Sequence, residues 1–253
     1  MKPKKALAQH FLIVPQIAER IASEVFIQYP GTKVLEIGPG KGILTDQLVN
    51  KGFDLILVEA DEDMTEILLK KFPSLRSRLW IDDFLKFNLE TFFTYPLLIV
   101  GNFPYNISSQ IVMKMISNKD HIVGLVGMFQ KEVARRITSP PGSKEYGRLS
   151  VMVQAHYHVK YLFSVPPGAF SPPPQVNSGV IRLTRKHEFK LPCDEKRFRM
   201  IVKCAFNQRR KMLKNSLKSL LGDILIKEDE TIWKKRPEEL AVEDFITLTN
   251  KLS

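Results

Sequence analysis

Apolar runs of strand length alternate with stretches of helical spacing over roughly the first half of the chain. Apolar side chains recur at Ile17, Ile21 and Val25, which is a helical spacing, and Pro15 suits a first helical turn. This alternation predicts an α/β class fold, with a parallel sheet and helices on both faces. The predicted helices cover 14–28, 42–51, 61–72, 107–117 and 130–137, and the predicted strands cover 33–38, 54–59, 78–81, 96–101 and 121–128.

The pattern changes after Lys186. Helical spacing with many Lys and Arg residues covers 195–207 and 209–220, and 237–252 has room for one or two further helices. We therefore predict two domains, an α/β domain over 1–186 and a small all-helical domain over 187–253. Two irregular stretches lie within the first domain, and the prolines of the second exclude a central strand there. These stretches are SPPGSKEYG at 139–147 and VPPGAFSPPPQVNS at 165–178.

Charge narrows the class of partner. The chain has 253 residues and a net charge of +11, from 38 Lys and Arg and 27 Asp and Glu. This balance favours a polyanion, most often nucleic acid, with an anionic membrane surface as the competing partner. The apolar part of the N-terminus is interrupted by Gln9, His10 and Pro15, unlike a signal peptide. With no long apolar run and no metal-ligand spacing at Cys193 or Cys204, we expect a cytoplasmic protein without membrane spans or bound metal.

A glycine turn follows the first predicted strand. Gly38, Gly40 and Gly42 form G-x-G-x-G, which allows a tight turn and lets a ligand lie against bare backbone. The P-loop pattern is absent, and Ile43 stands where a dinucleotide fingerprint needs Gly or Ala. A site for S-adenosyl-L-methionine and a purely structural turn both remain open at this point.

Two acidic residues end the next two predicted strands. Glu59 is placed to accept hydrogen bonds from ribose hydroxyls, and Asp83 to bind the amine of an adenine. Each alone is often only a helix cap. Because ligands bind at the carboxyl ends of such strands, two acidic tips after a glycine turn favour a nucleoside cofactor, S-adenosyl-L-methionine.

The sequence Asn-Phe-Pro-Tyr at 102–105 ends the fourth predicted strand, at the same edge. An exocyclic base amine is a poor nucleophile, because its lone pair is delocalised into the ring. The side-chain oxygen of Asn102 and the carbonyl of Phe103 can accept hydrogen bonds from both amine N–H groups as charge develops. Pro104 stiffens the turn, and Tyr105 can stack on the base, which typically contributes about 1–3 kcal/mol.

A set of motifs in a fixed order resembles one known family over nearly the whole chain. The chain is similar to the small-subunit ribosomal RNA adenine dimethyltransferases of the kasugamycin-resistance type. The resemblance implies a Rossmann-like class I methyltransferase sheet and dimethylation of two adjacent adenosines near the 3′ end of small-subunit (16S) rRNA, during ribosome biogenesis. The motifs are ALAQHFL, VLEIGPGKGILT, VEAD, DDFLKF, NFPYNISS, QKEVARRI, SKEYGRLSVMVQ, VPPGAFSPPPQVNSGVIRL and FNQRRKMLKNSL.

The resemblance also implies roles for single residues. Phe170, in a proline-stiffened loop that could close over a site, would face Tyr105 across the target base, and the alternative is that Phe170 is a core residue. His10 stands where the family usually has Asn, and Leu12 would act through its backbone. The implied catalytic set is Asn102, Pro104, Tyr105 and Phe170. The implied cofactor contacts are His10, Leu12, Gly38, Glu59, Asp83 and Asn102, to which the glycine turn adds Gly40.

Basic residues cluster in three places that suit RNA. Any single one is more often a solvated surface charge, but together they predict a phosphate-contacting surface, with specificity from RNA shape and a target base turned out of its stack. The predicted RNA contacts are Arg135 and Arg136 on a helix, Lys144 and Arg148 at the loop 139–147, and Arg209, Arg210, Lys211, Lys214 and Lys218 on one helix.

Other functions share parts of this pattern. A large-subunit rRNA methyltransferase of the antibiotic-resistance kind has the same motifs, although VPPGAFSPPPQVNS and FNQRRK favour the small-subunit group. DNA adenine methyltransferases usually carry Asp-Pro-Pro-Tyr instead. A non-catalytic assembly factor would keep the fold and the basic surface. We expect a monomer that acts on small-subunit rRNA in an assembling small ribosomal subunit.

Overall fold

The computed structural model describes residues 10–92, 94–221 and 231–252, without the side chains of residues 219 and 221. The chain divides into two compact units. One comprises the described residues up to Ala134 together with Lys160–Arg185, and the other comprises Arg135–Val159 and the described residues from Lys186 onward.

Residues 135–159 group with the C-terminal residues because of specific contacts. The Tyr146 hydroxyl donates to the carbonyl of Leu240 at 2.9 Å, and the Gly142 N–H donates to the carbonyl of Glu238 at 2.7 Å. The compact units therefore place residues 135–159 with the C-terminal part, whereas the sequence-based division falls after residue 186. The predicted domain boundary at residue 186 stays a prediction.

A seven-stranded sheet forms the framework of the fold, in the order β4-β3-β2-β5-β6-β9-β7. The strands from β4 to β6 run parallel, and β9 pairs with β6 in the antiparallel direction. A separate two-stranded sheet pairs β1 with β8. The strands are β1 (Phe11–Leu12), β2 (Lys33–Ile37), β3 (Leu55–Glu59), β4 (Leu79–Ile81), β5 (Leu97–Asn102), β6 (Ile122–Gln130), β7 (Tyr157–Val165), β8 (Phe170–Ser171) and β9 (Ser178–Arg185).

The five parallel strands were predicted from sequence, because buried parallel strands read as continuous apolar runs. The strands β7 and β9 were missed, so the sheet is mixed and not purely parallel. Partly exposed positions interrupt the apolar pattern of β7. The pattern alone therefore did not predict a strand there, and its pairing next to β9 shows it. The short β8 falls in the proline-rich stretch outside the large sheet, in keeping with the exclusion of a central strand.

Helices flank the sheet and form the C-terminal part. Pro15 occupies the first turn of α1. The Asp61 side chain caps α3 by accepting a hydrogen bond from the Asp63 N–H at 3.1 Å. None of the helices in the described ranges is long and apolar enough to cross a membrane. The helices are α1 (Pro15–Gln28), α2 (Ile43–Asn50), α3 (Glu62–Lys71), α4 (Ser108–Ser117), α5 (Lys131–Thr138), α6 (Arg148–Gln154), α7 (Glu195–Asn207), α8 (Leu213–Ser216), α9 (Lys218–Leu221) and α10 (Val242–Lys251).

The predicted single helix over 209–220 is wrong. After α7 the chain makes a turn in which the Lys211 N–H donates to the carbonyl of Gln208 at 2.8 Å, and Met212 is extended, with ψ at 151°. Arg209 instead donates to the carbonyl of Lys144 at 2.7 Å, which holds it in this turn. Arg209, Arg210 and Lys211 therefore lie in a turn between helices, and only the later residues of the basic run are helical, in α8 and α9.

Candidate active site

A cavity of about 340 Å³ lies where the parallel strands β2, β3 and β5 end. These strands are neighbours in the sheet, so their carboxyl ends meet at one edge, which is where ligands bind in such folds. The structure brings most of the predicted site residues together there. The predicted residues that line the cavity are His10, Leu12, Gly38, Gly40, Glu59, Asp83, Asn102, Pro104 and Tyr105.

The glycine turn requires glycine for both conformation and space. Gly38, Gly40 and Gly42 have φ values of 63°, 55° and 73°, in the left-handed region. A Cβ on Gly40 would lie 3.1 Å from the ring of Phe11, and a Cβ on Gly42 would lie 2.7 Å from the ring of Phe72. The turn therefore brings bare backbone to the cavity wall.

Glu59 at the end of β3 ties this turn to the next strand. One carboxylate oxygen accepts from the Gly40 N–H and the other from the Asp61 N–H, each at 2.9 Å. Burial raises the pKa of Glu59. Each carboxylate oxygen has a second lone pair, so the carboxylate can still accept hydrogen bonds from a ligand hydroxyl.

Glu36 is a second buried carboxyl group at the cavity and was not predicted from sequence. It lies within β2, lines the cavity and is almost fully buried. Burial, together with the weaker effect of the nearby Glu59 carboxylate, raises its pKa to about 8, although hydrogen bonding with Thr45 acts in the opposite direction. Its Oε2 atom has no hydrogen-bond partner among the described residues. The sequence feature that could have revealed Glu36 is a charged residue within an otherwise apolar strand, because such a residue is often functional.

Asp83 lines the cavity and lies in the loop after β4. Its side chain accepts from the Leu85 N–H at 2.9 Å. Lys114 on α4 holds the same loop, because its Nζ donates to the carbonyls of Phe84 and Phe87, each at 2.6 Å, and of Leu85 at 3.1 Å. Burial lowers the pKa of Lys114. Lys114 was missed because its partners are 27 to 30 residues earlier in the chain.

The orientation of Asn102 follows from its partner. Its Nδ2 donates to the backbone carbonyl of His10 at 2.9 Å. A carbonyl can only accept, so the amide nitrogen must face His10 and the Oδ1 atom must point the other way. The next residue, Phe103, is buried, and a Cβ on Gly101 or Gly127 would overlap its ring. Both acceptors predicted for the target amine are thus held in place.

Tyr105 is held by its hydroxyl and by one face of its ring. Its hydroxyl oxygen lies 2.6 Å from the hydroxyl oxygen of Ser178, which is fully buried at the start of β9. The His10 imidazole stacks on the Tyr105 ring, with centroids 5.5 Å apart and planes at 28°. Burial raises the pKa of Tyr105. Neither contact was predicted from sequence.

Phe170 does not share the cavity with the other predicted residues. It is buried and pairs with Leu12 in the β1–β8 sheet, and it is not among the residues that line the cavity. The N–H of Ile13 donates to the carbonyl of Ala169 at 2.9 Å, which joins the same two segments. A role for Phe170 opposite Tyr105 stays a prediction.

The residues predicted to contact RNA all belong to the second compact unit. Arg209 has internal partners, since its Nη2 donates to the carbonyl of Lys144 at 2.7 Å and its Nε lies 3.7 Å from a carboxylate oxygen of Glu238. Arg209 and Arg136 are both half-buried. Among the residues predicted to contact RNA, the ones exposed to solvent are Arg135, Lys144, Arg148, Arg210, Lys211, Lys214 and Lys218.

Comparison with known proteins identifies the family. The model of the ribosomal RNA adenine dimethylase family matches residues 1–251. The chain belongs to this family. Membership confirms the resemblance inferred from the ordered motifs, and with it the methyltransferase class.

Individual relatives agree with this assignment. The "Ribosomal RNA small subunit methyltransferase A" of Bacteroides thetaiotaomicron is 50% identical over 253 residues, which cover 100% of this chain and 94% of that protein. A dimethyladenosine transferase from Plasmodium falciparum has a similar fold, with a TM-score of 0.78 at 24% identity, covering 96% of this chain and 98% of that one. The 23S rRNA methyltransferase ErmE has a TM-score of 0.71 at 25% identity, covering 95% of this chain and 99% of that one. The Rossmann-like methyltransferase fold is thus confirmed.

Proposed function

We propose that this member of the rRNA adenine dimethylase family uses S-adenosyl-L-methionine to dimethylate two adjacent adenosines near the 3′ end of small-subunit (16S) rRNA. The observation that carries the proposal is the fixed orientation of Asn102 next to Tyr105, at the edge of a cavity walled by a glycine turn. The choice of the small subunit is supported by the name of the relative that shares half of its residues with this chain.

The residues at the cavity fit S-adenosyl-L-methionine. The volume of about 340 Å³ lies within the range of about 300–1,000 Å³ that is usual for small-molecule sites. The backbone of Gly38 and Gly40 would contact the ligand, Glu59 would accept from ribose hydroxyls and Asp83 would bind the adenine amine. When bound, the cofactor supplies a methyl group activated by its sulfonium.

The residues at the end of β5 act on the target amine. The Asn102 Oδ1 and the Phe103 carbonyl accept hydrogen bonds from its two N–H groups, which directs the nitrogen lone pair out of conjugation with the base. As the new N–C bond forms, the bond between the methyl group and the donor sulfur would break, and its electron pair would stay on the sulfur. The methylated amine is then cationic and releases a proton to solvent, so a general base is not obligatory. Pro104 keeps the turn rigid, and Tyr105 supports the base by stacking.

The partner is proposed to be small-subunit rRNA, held by the basic surface. The nine basic residues predicted to contact RNA, from Arg135 to Lys218, would bind phosphates and set the position of the RNA, while RNA shape supplies specificity. We also propose that the protein acts as a monomer in the cytoplasm, on assembling small subunits, and that residues 187–253 form the smaller RNA-binding domain.

Incubation of the purified protein with labelled S-adenosyl-L-methionine and unmethylated small subunits tests the proposal, with primer extension to map the label. We expect label at two adjacent adenosines near the 3′ end, and none with an Asn102→Ala variant. A parallel incubation with unmethylated large-subunit rRNA tests the alternative, and label there but not in small subunits would identify the antibiotic-resistance kind of enzyme. Tight subunit binding without any label would identify a non-catalytic assembly factor.

A further inference from the structure

One basic side chain lies in the wall of the cavity. Among the described residues that line the cavity, Lys41 is the one Lys or Arg, and it is exposed to solvent. The acidic side chains of the same wall are those of Glu36, Glu59, Asp82 and Asp83. The proposed function gives Lys41 no role. An anion that approaches the cavity is attracted by this ammonium and repelled by the ionised carboxylates around it.

The glycine turn fixes the place from which Lys41 projects. Lys41 lies between Gly40 and Gly42, whose φ values of 55° and 73° favour glycine. The Lys41 Nζ lies 4.9 Å from the centre of the Phe11 ring, which is a cation–π distance. Within the described part of the chain, Lys41 forms no ion pair. The ring holds one side of the ammonium, and its N–H groups remain available to a ligand.

A second ammonium reaches the same turn from α3. The Lys71 Nζ donates to the carbonyl of Gly42 at 3.4 Å, and it lies 3.5 Å from a carboxylate oxygen of Asp46. The side chains of Lys71 and Asp46 are 44% and 40% exposed, so water screens their ion pair. Lys71 is not among the residues that line the cavity. The positive charge at this turn therefore extends from the cavity wall to the outside of the cavity.

The placement of the two lysines suits an RNA backbone better than the carboxylate of a cofactor. A base that is turned out of its stack into the cavity leaves its phosphates outside, at the rim. A cofactor carboxylate inside the cavity could pair with Lys41, but it would leave Lys71 without a ligand. Successive phosphates of one RNA strand can pair with both.

We propose that Lys41 and Lys71 bind backbone phosphates of the RNA at the rim of the cavity, next to the nucleotide whose base is methylated. This inference rests on the proposed function, because it requires an RNA base inside the cavity. The RNA contacts predicted from sequence all belong to the other compact unit, so this contact adds one in the unit that contains the cavity. On binding, Lys71 exchanges the carboxylate of Asp46 for a phosphate.

Single substitutions isolate the charge at each position. Lys41→Met and Lys71→Met each remove an ammonium and keep an unbranched side chain, whereas Lys41→Arg keeps the positive charge. Lys160→Met is the matched control. Lys160 is also exposed and belongs to the same compact unit, but it lies on β7 and does not line the cavity.

The experiment measures equilibrium binding of the full-length wild type and variants to unmethylated small subunits, from about 50 to 200 mM salt. The Kd for S-adenosyl-L-methionine is measured without RNA, and thermal unfolding serves as the folding control. Lys41→Met and Lys71→Met should each weaken subunit binding about threefold or more and reduce the slope of log affinity against log salt by about one. The double variant should reduce this slope by about two. Lys41→Arg and Lys160→Met should bind within about twofold of the wild type, with the cofactor Kd unchanged throughout.

Other results would overturn the proposal. Unchanged subunit affinity and salt slope in either Met variant would remove that lysine from the RNA contact. A weaker cofactor Kd in Lys41→Met, with subunit binding unchanged, would assign Lys41 to the cofactor carboxylate. An equal loss in Lys160→Met would show an effect of net charge alone. If the wild type transfers no methyl group but its binding still depends on Lys41, the proposed function fails while the phosphate contact stands.

Discussion

The hydroxyl oxygens of Tyr105 and Ser178 lie 2.6 Å apart, which connects the turn after β5 to the first residue of β9. Ser178 is fully buried, and β9 pairs with β6 from Ser178 to Thr184. Tyr105 lies in the turn after β5, outside the large sheet. The orientation of its ring is nevertheless set by the sheet, through Ser178. This contact gives a rigid surface on which a base can stack.

Removing this contact should lower the rate of transfer. Ser178→Ala and Tyr105→Phe each delete one hydroxyl, and each should reduce kcat about fivefold, in line with about 1 kcal/mol for a hydrogen bond. Because one bond cannot be lost twice, the double variant should be no slower than the slower single variant. Steady-state kinetics on unmethylated small subunits measures this. If the two effects multiply in the double variant, the hydroxyls act independently.

Lys114 should support cofactor binding without touching the cofactor. Its ammonium holds three carbonyls of the loop that follows Asp83. Lys114→Met leaves those carbonyls without their donor, and a loss of about 1.5 kcal/mol would raise the cofactor Kd about tenfold. Calorimetric titration with S-adenosyl-L-methionine checks this, with Lys70→Met, at an exposed position of α3, as the control. An unchanged Kd in Lys114→Met would mean that the loop keeps its conformation unaided.

The predicted and unpredicted parts of the site differ in how far apart their residues lie in the chain. Gly38, Glu59 and Asn102 were predicted because each ends an apolar strand, and strand ends in a parallel sheet share one edge. The contacts of His10 with Tyr105, and of Tyr105 with Ser178, join distant segments. They depend on the β1–β8 pairing and on the antiparallel β9, neither of which the sequence pattern predicted.

The failed helix over 209–220 has a related cause. Helical spacing and high Lys and Arg content are both present there, so local propensity favoured one helix. Arg209 leaves the helical path because it donates to the carbonyl of Lys144, 65 residues earlier. A tertiary contact of this kind overrides local propensity and leaves no trace in the pattern of apolar positions.

The neighbours Arg209 and Arg210 should respond differently to substitution. Arg210 is exposed, whereas Arg209 bonds the carbonyl of Lys144 and lies near Glu238. If Arg210 contacts a phosphate, Arg210→Ala should weaken RNA binding and reduce the slope of log affinity against log salt by about one. Its thermal midpoint should not change. Arg209→Ala should lower the free energy of unfolding by about 1 kcal/mol.

Binding measured from low to moderate salt, together with thermal unfolding, distinguishes the two variants. An Arg210→Ala variant that binds RNA as the wild type does, with the same salt slope, would remove Arg210 from the proposed phosphate surface. An unchanged thermal midpoint for Arg209→Ala would mean that the loop around Lys144 is held by its other contacts.

Glu36 should make the stability of the protein depend on pH. The folded state keeps the Glu36 proton up to about pH 8, whereas an unperturbed Glu releases it near 4.5. Between these values the unfolded state binds fewer protons, so the free energy of unfolding falls as pH rises, by up to about 1.4 kcal/mol per pH unit. Glu36→Gln is uncharged throughout and should lose this part of the pH dependence.

Thermal unfolding from pH 5 to 8 measures the effect. The midpoint of the wild type should fall more steeply with pH than that of Glu36→Gln, and Glu62→Gln, at an exposed position of α3, should follow the wild type. Parallel curves for the wild type and Glu36→Gln would mean that Glu36 ionises in the folded state at an ordinary pH. A carboxylate would then have to find a partner for its buried Oε2 atom, which lacks one among the described residues. A steeper wild-type curve would instead establish a neutral acid beneath the proposed cofactor site, adding no charge there at neutral pH.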